Sequence, residues 1–263
     1  MPHRKLVLSC RVLSCAAWLL LSLFGGTAAA RPCSGETPAD TPPCGLVEQH
    51  ATQPGLAFQP STPALYDFRF ALGGYYDAID PQVMYGMEFR IPQLSLDARY
   101  GLGAGWSLVG HFNSMFVTNE LLIGGAFAQR FGPWSYEVRA SAGVYLGKLG
   151  QVGFDALLVA PQYRPELTIG YAMGDVALSL RGSLLLMSTE RVRIGEVWGG
   201  LDNASAFVGH SEMLFVENPM QNGSAWYFGL GLMTTRAYYA FWVLFPDSPA
   251  LFTYPRMVAG YEF

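Results

Sequence analysis

Four acid–arginine pairs recur at a spacing of two: Asp67/Arg69, Glu88/Arg90, Asp97/Arg99 and Glu137/Arg139. Random placement of the chain's acids and arginines would give about one such pair. A spacing of two is the period of a β-strand, so both members of each pair fall on one face. Facing inward in a closed sheet, such charges have two uses. Paired across the interior, they tie it shut. Held apart, they line a water-filled passage and select ions or solutes. Arg181, Arg256, Glu262, His111 and Asn113 fall on the same polar face and join the lining. A second constellation, His210-Ser211-Glu212, offers the residue types of an acyl hydrolase. Adjacent strand residues point to opposite faces, so His210 and Ser211 could meet only in a loop. His111 and His210 are the only imidazoles in the patterned region, which leaves little for general acid–base work. The expectation is therefore no enzyme. No Cys/His cluster has ligand spacing, and neither a metal nor another cofactor is expected.

The elements that position these residues are short and alternating. Tyr66, Phe68, Phe70 and Leu72 oppose Asp67, Arg69 and Ala71. Leu94, Leu96, Ala98, Tyr100 and Leu102 oppose Ser95, Asp97 and Arg99. Trp134 to Leu146 alternates against Glu137, Arg139 and Ser141, and Val176 to Leu186 against Ser179, Arg181 and Ser183. Trp226, Phe228, Leu230 and Leu232 oppose Gly229 and Gly231. This is the pattern of strands with one apolar face. Turn signals fall at 103–105, 131–133 and 174–175, with another expected at 234–236. Regions 73–82, 147–153, 188–203 and 217–223 read as looser connections. The apolar face changes parity between Glu88/Arg90 and Asp97/Arg99, which points to a bulge at Pro92.

Residues 1–30 read as a cleaved signal peptide. Arg4, Lys5 and Arg11 precede an apolar core at 16–24, and Ala28-Ala29-Ala30 closes the segment. Residues 31–63 hold seven prolines without apolar periodicity and read as a Pro-rich periplasmic extension. In an oxidising compartment Cys33 and Cys44 are expected to form a disulfide, two free thiols being the alternative. A formal charge of −4 and the lack of a basic run in the mature chain exclude nucleic acid as an expected partner. The longest apolar run, 237–245, is too short to cross a bilayer as a helix and long enough to cross as a tilted strand.

Alternating strands fit a soluble sandwich or a membrane barrel. Aromatics cluster near strand ends, as at Tyr75-Tyr76, Trp106, Trp134, Trp226-Tyr227 and Tyr238-Tyr239, and Lys148 is the only lysine after the leader. Both traits favour an apolar face turned to lipid. The last strand ends in alternating Met257, Ala259, Tyr261 and Phe263, with Gly260 interleaved. This ending resembles the assembly signal of bacterial outer-membrane β-barrel proteins, carried here by Met257, Gly260, Tyr261 and Phe263. The resemblance implies export to the bacterial outer membrane, contact with its lipid and recognition by the barrel-assembly machinery. Pro255 departs from the pattern and marks a bulge or a strand start.

The expected fold is therefore all-β, a closed antiparallel transmembrane barrel over 64–263. Thirteen stretches alternate, and single-chain barrels have even numbers, so the expected count is ten strands, with twelve as the alternative. The stretch at 204–216 is then assigned to a long outer loop. The expected function is passive passage of an unidentified small solute or ion through a narrow charged lumen. The alternatives are a plugged structural barrel, a receptor or adhesin acting through its outer loops and, less favoured, a lipid hydrolase.

Overall fold

The computed structural model describes residues 58–61, 64–79, 89–115, 117–150, 155–188, 191–200, 207–220, 223–236 and 251–263. The leader at 1–30 and the Cys33/Cys44 pair lie outside the described residues, as do Glu88 and the side chain of Arg90.

Twelve strands follow one another along the described chain. They are β1 (Phe68–Ile79), β2 (Phe89–Gly103), β3 (Trp106–Met115), β4 (Thr118–Phe131), β5 (Trp134–Leu149) and β6 (Ala156–Met173). Then come β7 (Val176–Met187), β8 (Arg191–Ile194), β9 (Val197–Gly200), β10 (Phe207–Pro219), β11 (Ala225–Arg236) and β12 (Leu251–Glu262). Each of β1 to β6 pairs antiparallel with the next, β7 pairs with β10, and β10, β11 and β12 follow in order. β12 returns to β1 from Ala71↔Glu262 to Asp77↔Arg256, which closes a ring of ten strands. The remaining two, β8 and β9, form a hairpin on Ala156–Val159 of β6. β6 runs six residues beyond its last partner in β7, Met187 opposite Gln162, and β8 covers part of that otherwise bare edge.

The two ends of the ring differ. At one end, tight turns at 104–105, 132–133 and 174–175 join the strands, and Gly103, Gly105, Gly132 and Gly174 supply the positive φ these turns need. That short-turn end also carries the start of β1 and the end of β12. The strand ends that the long connections 80–88, 188–206 and 237–250 join are all at the other end.

Several sequence expectations change. β1 continues to Ile79, through the region read as loose. The described part of 204–216, read as an outer loop, and 217–219 of the region read as loose form one full barrel strand, β10, and 234–236 continue β11 rather than turning. β2 passes Pro92 without a register shift, because Pro92 faces Tyr76 in an unbroken ladder. Pro255 lies within β12, one residue past the end of the β1 ladder, where a missing N–H costs no bond to β1.

The ring has an apolar exterior. Leu72, Leu94, Leu96, Leu108, Leu121, Ile123, Leu167, Ile169, Leu180, Leu184, Leu214, Leu230 and Leu232 are all exposed. A continuous apolar exterior of this extent marks a surface made for something other than water. The interior is packed by a smaller set. Tyr227 crosses the β12–β1 seam, where Gly260 and Gly73 face each other in register. A Cβ on Gly73 would lie 2.1 Å from the Tyr227 hydroxyl, so the seam closes only because these positions lack side chains. Tyr227 and the half-buried Tyr75 therefore belong to the interior and not to an aromatic belt. Neighbouring aromatics in a strand cannot both face outward.

Gly73→Ala is expected to lower unfolding stability in urea by about 1–3 kcal/mol, the usual cost of overpacking. In a Tyr227→Ala background the same change should cost much less. Equal costs in both backgrounds, measured as a double-mutant cycle in lipid vesicles, would mean the seam does not depend on this contact.

Candidate functional site in the barrel interior

Alternation directs one residue in two inward, and on nearly every strand the inward set is polar. Arg99 on β2 reaches Glu137 on β5, at 2.5 Å from Nη2 to Oε2. These strands are not neighbours, so the pair crosses the interior. Glu137 also accepts from Arg139, at 3.0 Å, and Arg139 continues to Glu166 on β6 at 3.3 Å. Glu137 is only 2 % exposed, so it serves two arginines away from water. Arg164 on β6 pairs with Glu120 on β4. Asp97 on β2 meets His111 on β3 at 3.0 Å. Arg256 on β12 grips Asp77 on β1 through two bonds of 2.7 Å, and Asp77 also accepts from Gln93, which in turn accepts from Asn113. A bidentate guanidinium–carboxylate pair at the β1–β12 seam fixes register as well as charge.

The sequence-predicted lining residues thus have definite places. Asp97, Arg99, His111, Asn113, Glu137, Arg139, Arg181, Arg256 and Glu262 lie inside the ring. Asp67 and Arg69 sit at the short-turn end, paired with each other at 2.7 Å, and Arg69 also lies 3.7 Å from Glu262. The three described i, i+2 pairs do not share one geometry. Asp67/Arg69 and Glu137/Arg139 bond within their pair, whereas Asp97 and Arg99 take partners on other strands.

Sequence reasoning missed Asp77, Glu120, Arg164, Glu166 and Glu217. Extending the alternation from Leu121 and Ile123 on β4, and from Leu167 and Ile169 on β6, would have put Glu120, Arg164 and Glu166 on the inward face. It also missed the occupant of the interior. Residues 58–61 are not part of an exposed spacer: Phe58, Gln59 and Pro60 are buried. Phe58 stacks on Phe215 with ring centroids 4.0 Å apart and packs against Tyr227 at 4.5 Å. Both oxygens of the fully buried Glu217 accept from this segment, one from the Phe58 N–H at 2.8 Å and the other from the Gln59 N–H at 2.5 Å. Gly170 leaves the space that Pro60 fills, since a Cβ there would lie 2.7 Å from the proline ring. The contacts lie within a few residues of the short-turn ends of β6, β10 and β11, so the segment sits inside the ring near that end.

Arg181 closes the set. Its guanidinium lies 4.6 Å from the Phe58 ring centroid and 5.3 Å from that of Phe215, and its Nε donates to the Thr168 hydroxyl at 3.3 Å. It is 8 % exposed, and its Nη2 lacks a hydrogen-bond partner. A cavity of about 610 Å³, counting the space at its mouth, is lined by Tyr75, Asp97, His111, Arg139, Arg181 and Arg256, among others. Ser211 turns inward to Ser183 at 2.7 Å, while His210 and Glu212 face outward, so the hydrolase constellation does not assemble. Among the described residues no group of three His, Cys, Asp or Glu is placed to hold a metal ion.

On β12, Met257 and Phe263 of the terminal pattern are exposed outward, and Phe263 stacks on Phe70 of β1 at 4.7 Å. Gly260 faces inward beneath Tyr227. Tyr261 shares a hydrogen bond with Ser224 in the β10–β11 turn.

No protein-family model matches this chain, and no curated protein matches it. Among solved structures it is similar to the translocator domain of the autotransporter NalP from Neisseria meningitidis. The TM-score is 0.36 and the identity 9%, over 74% of this chain and 88% of that one.

Glu137→Ala leaves Arg99 and Arg139 buried without their shared carboxylate. The expected loss is about 3–5 kcal/mol in urea unfolding, against less than about 1 kcal/mol for Asp67→Asn at the wet end. Equal, small losses would remove the network from any structural role.

Proposed function

We propose that this protein is an outer-membrane β-barrel that its own segment 58–61 keeps closed, and that small solutes or ions pass only when the segment withdraws. The outer-membrane setting is supported by the apolar exterior, the closed ring and the terminal aromatic pattern. Bacterial barrels have short periplasmic turns and longer outer loops, which puts the short-turn end and the segment in the periplasm. The observation that carries the closed state is the clamp on Phe58 and Gln59 by both oxygens of Glu217.

The reading explains why the segment is held by polar clasps as well as by packing. Two backbone N–H bonds to a carboxylate and one aromatic stack are enough to seat a short peptide. Each is also a contact that an extended chain entering from the periplasm could break and remake. With the segment out, Phe215, Tyr227 and Arg181 would line the passage together with the charges above them. Arg181 would then be the cation least engaged by carboxylates, and a passing anion would meet it first.

A second reading has its own support. Arg99 on β2 bonds Glu137 on β5, a bridge across the interior made by ring residues alone, and this favours a barrel that stays sealed. Such a barrel would act through its long-connection end, where the β8–β9 hairpin stands.

Conductance of the full chain in planar bilayers separates the two. Wild type is expected to be nearly silent. Phe58→Ala with Glu217→Ala should give discrete steps, and adding Arg181→Ala should lower the anion preference of those steps. A wild type that conducts steadily would overturn the closed state. An inserted but silent double variant would support the sealed barrel.

A further inference from the structure

β10 carries an anomaly on its outer face. Outward residues of the neighbouring strands are leucines: Leu180 and Leu184 on β7, Leu214 on β10, Leu230 and Leu232 on β11. Glu212 stands among them, opposite Gly182 on one side and Leu232 on the other. Among the described residues of the ten ring strands, it is the only carboxylate that faces outward, and its side chain is 52 % exposed. His210, two residues away on the same face, donates Nδ1–H to Glu212 Oε1 at 2.5 Å. His210 faces Thr234 on β11, and Thr234 faces Thr253 on β12. The two threonine hydroxyls are 2.8 Å apart. The Phe207 ring lies nearly parallel to the imidazole at 6.3 Å. A polar row thus crosses three strands on a wall that is mostly leucine, with Arg236 two residues beyond Thr234 on β11 and held to the Phe207 carbonyl at 3.0 Å.

An ionised carboxylate facing hydrocarbon is costly, and only a partner makes it tolerable. His210 is its one polar partner among the described residues and occupies only Oε1. The row lies within about six residues of the long-connection ends of β10, β11 and β12, the level at which headgroups meet an outer wall. We infer that His210, Glu212, Thr234 and Thr253 form a headgroup site for a lipid that carries a phosphate and a primary ammonium group. This rests on the membrane-spanning reading of the barrel. The chemistry is complementary on both sides. A primary ammonium donates hydrogen bonds to the free oxygen of Glu212, which a quaternary ammonium cannot do. One threonine hydroxyl donates to the other, and the second keeps its O–H free to donate to phosphate. An anionic headgroup with no ammonium would meet the carboxylate with repulsion.

The test is lipid retention by the full chain, reconstituted in phosphatidylcholine vesicles containing either phosphatidylethanolamine or phosphatidylglycerol. Bound lipid is counted by native mass spectrometry after gentle extraction. Phosphatidylethanolamine should be retained about tenfold over phosphatidylcholine, the worth of one charge-assisted hydrogen bond. Glu212→Gln and His210→Ala should each lose most of that preference, while Asn218→Ala on the same face at the other end should keep it. Equal retention of all three lipids, stronger retention of phosphatidylglycerol, or a preference unchanged in Glu212→Gln overturns the site. Protease protection of the reconstituted protein is read in parallel. A chain that fails to insert overturns the membrane reading and the site together, whereas a chain that inserts without preference overturns the site alone.

Discussion

The whole molecule depends on closure of the sheet at the β1–β12 seam. A strand in lipid has no water to satisfy its N–H and C=O groups, so a ten-stranded sheet facing lipid is viable only as a ring. Three features act at that seam. The ladder runs seven residues, from Ala71↔Glu262 to Asp77↔Arg256. The Phe263 N–H donates to the Phe70 carbonyl at 2.9 Å, extending the pairing past the last strand residue. Inside, Arg256 holds Asp77 in a two-bond clasp, and Tyr227 lies over Gly260 and Gly73. The first and last strands are joined by backbone, charge and packing at once.

Closure with ten strands then sets the problem of the interior. Eight strands leave a space that side chains fill, and sixteen or more leave a channel. Ten leave a space too wide for the small residues Ala126, Ala128 and Ser135 to fill. Arginine and glutamate are long enough to meet in it, and they neutralise each other only if every member finds a partner. The chain Arg99–Glu137–Arg139–Glu166 does this over three strands. Near the short-turn end the inward residues are aromatic, Phe215 and Tyr227, and the gap between them is filled by Phe58 from the N-terminal segment.

Much of this architecture was legible in sequence because its cause is local. Alternation at 94–102, 134–146 and 176–186 follows from one face meeting an apolar exterior, and a few residues suffice to read it. The glycine turns at 103–105 and 174–175 are equally local. What could not be read was whatever depends on distance in the chain. Glu217 means nothing until Phe58 lies against it, 159 positions away. Arg99 and Glu137 are 38 residues apart, and only the curvature of the ring brings them together. The stretch 204–216 reads as a loop because thirteen alternating stretches must lose at least one to give an even number, and alternation alone does not say which. Tyr75 and Tyr227 were given to the exterior because aromatic residues near strand ends have two uses, and composition does not choose between them.

β10 brings these constraints into one strand. Glu212 and Glu217 are five residues apart, an odd number, so the pleat sends one carboxylate outward and the other inward. Neither has an arginine. Glu217 is held by two backbone N–H groups of a segment that belongs to none of the ten ring strands. Glu212 is held by one histidine and is otherwise open to whatever surrounds the barrel. A buried carboxylate tied to a separable segment and an outward carboxylate tied to a single ring are both incomplete without a partner from outside the ten strands. Elsewhere in the ring, most inward charge is matched by charge on the ring's own strands, Arg181 on β7 being the exception. At β10 the matching is left to other molecules and to the chain's own N-terminal segment, which is where the barrel can respond to something other than itself.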